Sequence, residues 1–160
     1  MVRTGKCVLL ISMTLSVISF GVCAACVDLA SPNVKTRHPS ISKEYVSAPW
    51  VFIGRAIASR NVASPDDPEF YDWTIYDVEV LRAFKGQPPH RVRLLSENTS
   101  ARFPMDKNKE YLLFVSHYPT VELAGKEKLP PNYVDNCGNS GALENVGATL
   151  KAVRVLSRAH

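Results

Sequence analysis

Little in this chain announces chemistry. Its four histidines, His38, His90, His117 and His160, are scattered. None shares metal-ligand spacing with a cysteine, so the pattern offers no metal site of its own. No catalytic motif occurs, and the candidate acids have simpler roles. Asp66-Asp67 sits in a Pro-bounded turn and Asp77 and Glu79 lie in phase on one strand, so both pairs are expected to face water. His117 ends an apolar strand and is expected to be a partly buried core residue. The expected answer is a protein that is not an enzyme and carries no cofactor. No internal repeat or low-complexity tract is present.

Charge of one sign is also scarce. Lys and Arg number 19 against 15 Asp and Glu. Loss of Arg3 and Lys6 with a leader would leave 17 against 15, which gives no argument for nucleic acid or acidic ligands. Arg91 and Arg93 alternate with Val92 and Leu94, the pattern of a strand with one solvated face. A run long enough to span a membrane is missing. The apolar stretch from Cys7 to about Val22 is diluted by Ser12, Thr14, Ser16 and Ser19 and falls short of the ~20 residues a span needs.

What that stretch does match is a secretory signal. Met1-Val2-Arg3-Thr4-Gly5-Lys6 is short and basic, the apolar run follows, and small residues close it at Cys23-Ala24-Ala25. Cleavage after Ala24 or after Ala25 both fit. Residues 1–25 are therefore read as signal peptide and 26–160 as one domain with one core, exported to a periplasm or secreted. A lipid anchor on Cys26 is disfavoured, because Cys23 stands where a Leu-like residue is normally required.

Cys7 and Cys23 depart with the leader, leaving Cys26 and Cys137. In an oxidising compartment such a pair becomes a disulfide. It would close a loop of more than a hundred residues and stabilise the domain by about 4 to 5 kcal/mol in the chain-entropy model.

Ser40 followed by Ile41, Glu44, Tyr45 and Val46 predicts a short helix that Pro49 stops. Trp50 to Ala58 reads as a strand, with Gly54 marking a bulge or a close backbone approach. Asn61 to Pro68 reads as a turn. A second strand runs from about Phe70 to Phe84, where Trp73 and Ile75 keep one phase and Val78 and Val80 the other, so a bulge is expected near Tyr76-Asp77. Lys85 to Pro89 turns the chain into a third strand at Arg91–Leu95. Tyr111 to Ser116 is a continuous apolar run, the mark of a strand buried on both faces. A fifth strand is expected between Tyr118 and Val134. Leu143, Val146, Leu150 and Val153 then take helical spacing. Five strands with a short N-terminal helix and a C-terminal amphipathic helix suit an all-β, OB-type barrel.

Cys26 at the export junction, Ala48-Pro49-Trp50-Val51-Phe52-Ile53-Gly54-Arg55, Val80-Leu81-Arg82-Ala83-Phe84-Lys85-Gly86, Tyr111-Leu112-Leu113-Phe114 and Asn136-Cys137-Gly138-Asn139-Ser140 occur in that order. Together they resemble the bacterial branch of the tissue-inhibitor-of-metalloproteinases and netrin-like domains. The resemblance implies an OB-type barrel and a protein partner, a zinc metalloprotease. In the animal inhibitors the α-amine and carbonyl of a disulfide-held first cysteine chelate the protease zinc, and the next residue enters the specificity pocket. Carried over, these positions are Cys26 and Val27. An α-amine with a pKa of about 7.7 to 8 becomes a nitrogen ligand at little cost near neutral pH.

This chain departs from the animal pattern in carrying Asp28 where a second cysteine would fall, and Cys26 aligns equally with that second cysteine. Two other readings stand beside inhibition. In one, Cys26 serves only as a staple for the N-terminal segment; in the other, the domain binds a protein through the loops at Asn61–Pro68 and Val121–Pro131 without inhibiting it.

Overall fold

The structure, a computed structural model, describes residues 26, 38–117 and 128–159. The leader, Val27 and most of the loop from Val121 lie outside the described residues.

Helix α1 spans Ile41–Ser47. Ser40 caps it by accepting a hydrogen bond from the Lys43 N–H at 3.3 Å, the expected use of a serine at this position. Ala48 is already extended, as a residue before proline prefers to be. Lys85 closes the other end of α1, where its ammonium donates to the carbonyls of Tyr45 and Val46, both at 2.7 Å.

Strands β1 (Trp50–Ala63), β2 (Tyr71–Lys85), β3 (Arg91–Glu97), β4 (Glu110–His117), β5 (Asn132–Tyr133) and β6 (Gly141–Ala142) are followed by helix α2 at Gly147–Leu156. β1 pairs antiparallel with β2 on one side and with β4 on the other. β2 pairs with β3. Short β5 joins β3, in parallel at Leu95↔Tyr133, to β4, antiparallel at Ser116↔Tyr133 and His117↔Asn132. The five pairings close a ring, and β6 adds to β4 outside it through Tyr111↔Ala142 and Leu112↔Gly141.

Three buried clusters follow from the alternation of side chains along these strands. Phe52, Ala56, Tyr76, Val78, Leu94, Tyr111, Leu113 and Val115 form one cluster drawn from β1 to β4, which places it inside the ring. The opposite phase of β1 and β4, Val51, Ile53, Leu112 and Phe114, packs against Tyr45 of α1 and Val153 of α2. β4 is therefore buried on both faces, as its apolar run predicts. Trp73, Ile75, Val62, Leu95, Leu129 and Tyr133 make a third cluster on the outer side of β2 and β3.

That third cluster corrects one expectation. The two phases of β2 need no bulge at Tyr76-Asp77, because each phase has a cluster of its own. The register shift in this region falls on the partner strand, between Ala56 and Ala58. A second shift lies between Ile53 and Gly54, where a Cβ on Gly54 would stand 2.5 Å from Val78 Cγ1. Gly54 thus marks a close approach, while the extra residue of this shift, Leu81, lies opposite it on β2.

Other boundaries moved for equally local reasons. β1 runs past the turn predicted at Asn61, because pairing continues to Ala63↔Tyr71 and Val62 joins the outer cluster. Asn61 itself accepts a hydrogen bond from Thr74 Oγ1 at 3.1 Å. The fifth strand is described only as two residues. Leu143 and Val146 precede α2 rather than belong to it, since Gly141–Ala142 first extend along β4. They still pack on the α1–α2 cluster. His117 is exposed, with its ring edge-on to Trp50 at a centroid distance of 6.0 Å, so it is not a core residue.

Candidate functional site

The site that sequence singled out is built around Cys137. After β5, Val134 donates its N–H to the Leu95 carbonyl at 3.0 Å. Asp135 then turns the chain, with Oδ1 accepting the Cys137 N–H at 2.9 Å. Beyond the cysteine, Ser140 Oγ accepts the Phe114 N–H at 2.9 Å, standing in for a strand neighbour just before β6 begins. Cys137 is thereby held at both sides by groups anchored to β3 and β4.

Cys26 is bonded to it. The Cα atoms lie 5.4 Å apart across a sequence separation of 111, well inside the span a disulfide bridges. Both residues are buried, at 7% and 6% exposure. The predicted cross-link is present. Val27, the predicted pocket residue, lies outside the described residues.

The segment Gly138-Asn139 rests on Glu44 of α1. The Asn139 backbone N–H donates to Glu44 Oε2 at 2.7 Å and its side-chain amide donates to the same oxygen at 2.5 Å. That amide also reaches the Pro39 carbonyl at 3.0 Å. Gly138 passes so close to the Glu44 carboxylate that a Cβ there would overlap Oε1. Burial raises the pKa of Glu44 above its ordinary value, the Asn139 hydrogen bonds act against that rise, and nearby Asp135 adds to it. Half-buried carboxylates respond in this way when desolvation outweighs the donors around them.

A groove of about 450 Å³ opens beside this junction, lined by Glu44, Pro49, Phe114, Ser116, His117 and Asp135 among others. Its lining combines the buried Phe114 and Val115 with the half-buried carboxylates of Glu44 and Asp135. The hydroxyl protons near it are committed to the backbone: Ser47 Oγ donates to the Glu44 carbonyl at 3.1 Å and Ser116 Oγ to the Tyr133 carbonyl at 3.4 Å.

The remaining acids fall elsewhere. Asp66 and Asp67 are exposed in the β1–β2 turn, where Asp67 Oδ1 accepts the Glu69 N–H at 3.1 Å. Asp77 is exposed, and Glu79 lies 3.7 Å from Arg55, which pairs more closely with Glu110 at 2.7 Å. Among the described residues no group of three or more His, Cys, Asp and Glu is placed to hold a metal ion, and no helix is long and apolar enough to cross a membrane.

Sequence reading missed the partnership of Glu44 with Asn139 and the place of Asp135 beside it. Glu44 read only as an acid in the first turns of a helix. Asn139 stood inside the Asn136–Ser140 block with no role of its own. Comparison with protein-family models found no match, and comparison with curated proteins found none either.

Proposed function

We propose that this protein is an exported, non-catalytic OB-type barrel that binds a zinc metalloprotease and inhibits it, with the Cys26 amine and carbonyl as zinc ligands and Val27 as the pocket residue. The observation that carries this reading is the Cys26–Cys137 disulfide. It fixes residue 26 against a segment that is itself clamped to α1 and β4, beside an open groove. A ligand held in place before binding loses less entropy when it docks. The closed ring of pairings agrees with an OB-type barrel, and commitment of the nearby serine hydroxyls to backbone carbonyls agrees with a non-catalytic role.

The test is inhibition of a panel of zinc endopeptidases by protein beginning at Cys26, beside protein extended by one alanine. The reading expects inhibition by the first form and its loss in the second. Equal inhibition by both forms would refute the amine mechanism.

The burial of both half-cystines favours a second reading, in which the bridge is a staple and the domain binds a protein partner without inhibition. Absence of inhibition by either form, with the disulfide intact, selects that reading.

A further inference from the structure

A second concave site lies away from the residues of the disulfide site, where the last turn of α2 meets β2. It encloses about 350 Å³ and is lined by Arg82, Arg154, Ser157 and Arg158. The three arginines are exposed, and among the described residues no carboxylate lines the concavity and no ion pair engages any of the three.

Local structure accounts for two of these cations. Arg154 and Arg158 sit at the end of α2, where backbone carbonyls carry negative charge and a cation is favoured. Arg82 has no such reason to be there. It belongs to β2, paired with Ile53, and Ile53 packs in the same cluster as Leu150 and Leu156 of α2. The fold therefore delivers a third guanidinium into a site that already holds two. Its neighbour is the ring of Phe84, 5.1 Å from the guanidinium carbon, which offers a π face and no counter-charge. The hydroxyl proton of Ser157 is used on the Arg154 carbonyl at 3.1 Å, so this residue brings lone pairs and leaves donation to the arginines.

We infer that this concavity binds a phosphomonoester-type oxyanion. Three guanidinium forks supply more N–H donors than a carboxylate can accept, whereas a tetrahedral group with three terminal oxygens can take one fork on each. The inference stands apart from the inhibitor reading and uses none of its residues.

The exported protein, labelled with ¹⁵N, would be titrated with inorganic phosphate, with glycerol 3-phosphate and with vesicles of neutral lipid containing phosphatidic acid, following the arginine Nε–H resonances. Saturable shifts at Arg82, Arg154 and Arg158 are expected, and affinity should fall roughly tenfold in Arg82→Gln and in Arg158→Gln, the scale of one charge-assisted hydrogen bond. Arg91→Gln, an exposed arginine on β3, should bind as the unaltered protein does. Equal shifts with phosphate and glycerol 3-phosphate identify a site for the free anion. Tighter binding of glycerol 3-phosphate, with competition against the vesicles, identifies a headgroup site. Three results would each overturn the inference: no saturable shift, equal affinity in Arg82→Gln and Arg91→Gln, or vesicle binding that glycerol 3-phosphate does not compete.

Discussion

Glu44 and Asn139, 95 residues apart in sequence, are joined through one carboxylate oxygen that accepts both the backbone and the side-chain N–H of Asn139. This contact ties the first helix to the segment that carries Cys137, so the disulfide hangs from a braced point rather than from a free loop.

The contact gives stability a pH dependence. The folded-state pKa of Glu44 is raised, chiefly by burial, above an ordinary value of 4.5. Its contribution is thus fully present below pH 4.5 and is lost as pH climbs through the raised value. Urea denaturation of the protein and of Glu44→Gln across that window should show the unaltered protein losing stability relative to the variant as pH rises. Parallel curves would show that this carboxylate titrates as it does in the unfolded chain.

Gly138→Ala should be destabilising by about 1 to 3 kcal/mol, because the added methyl overlaps the Glu44 carboxylate and must displace it from Asn139. Gly147→Ala is the control, since a Cβ there meets nothing within 4 Å. Urea midpoints for the two variants check this, and equal midpoints would contradict it.

Trp73→Ala should cost about 3 to 5 kcal/mol. Trp73 is buried among Val62, Ile75, Leu95, Leu129 and Tyr133, so its removal empties the outer cluster without touching the inside of the ring. Denaturation by urea provides the value. A cost below about 0.5 kcal/mol, the ordinary range of a surface substitution, would mean the outer cluster does not behave as a core.

Cys137→Ser should lower stability by about 4 to 5 kcal/mol in the chain-entropy model, as should reduction of the unaltered protein. The two losses should not add, because both remove the same bridge. Unfolding of the four combinations tests this directly.

Much of the fold was legible because local patterns and tertiary demands agreed. The apolar run at Tyr111–Ser116 announced a strand buried on both faces, and Ser40 and Pro49 bounded α1 correctly. Alternation misled at β2, where Trp73 and Val78 looked like a phase error that a bulge must repair. The strand instead serves two clusters, a fact carried by Leu129 and Tyr133 far along the chain. Gly141–Ala142 gave no strand signal of their own, and the helical spacing began too early because Leu143 and Val146 pack on the same cluster as α2 without being in it. At the candidate site the cysteine pair was legible from cysteine count and from the leader reading, which left Cys26 and Cys137 as the two remaining cysteines. The clamp was not, because nothing in the local sequence around Glu44 or Asn139 specifies a partner 95 residues away.

The most direct test of the inhibitor account is the intact mass, before and after reduction, of the protein recovered from cells that express the full sequence. The account predicts the mass of residues 26–160 less two hydrogens, with both regained on reduction and no adduct. A chain that keeps any residue ahead of Cys26, a lipid on that cysteine, or an unchanged mass after reduction would contradict it.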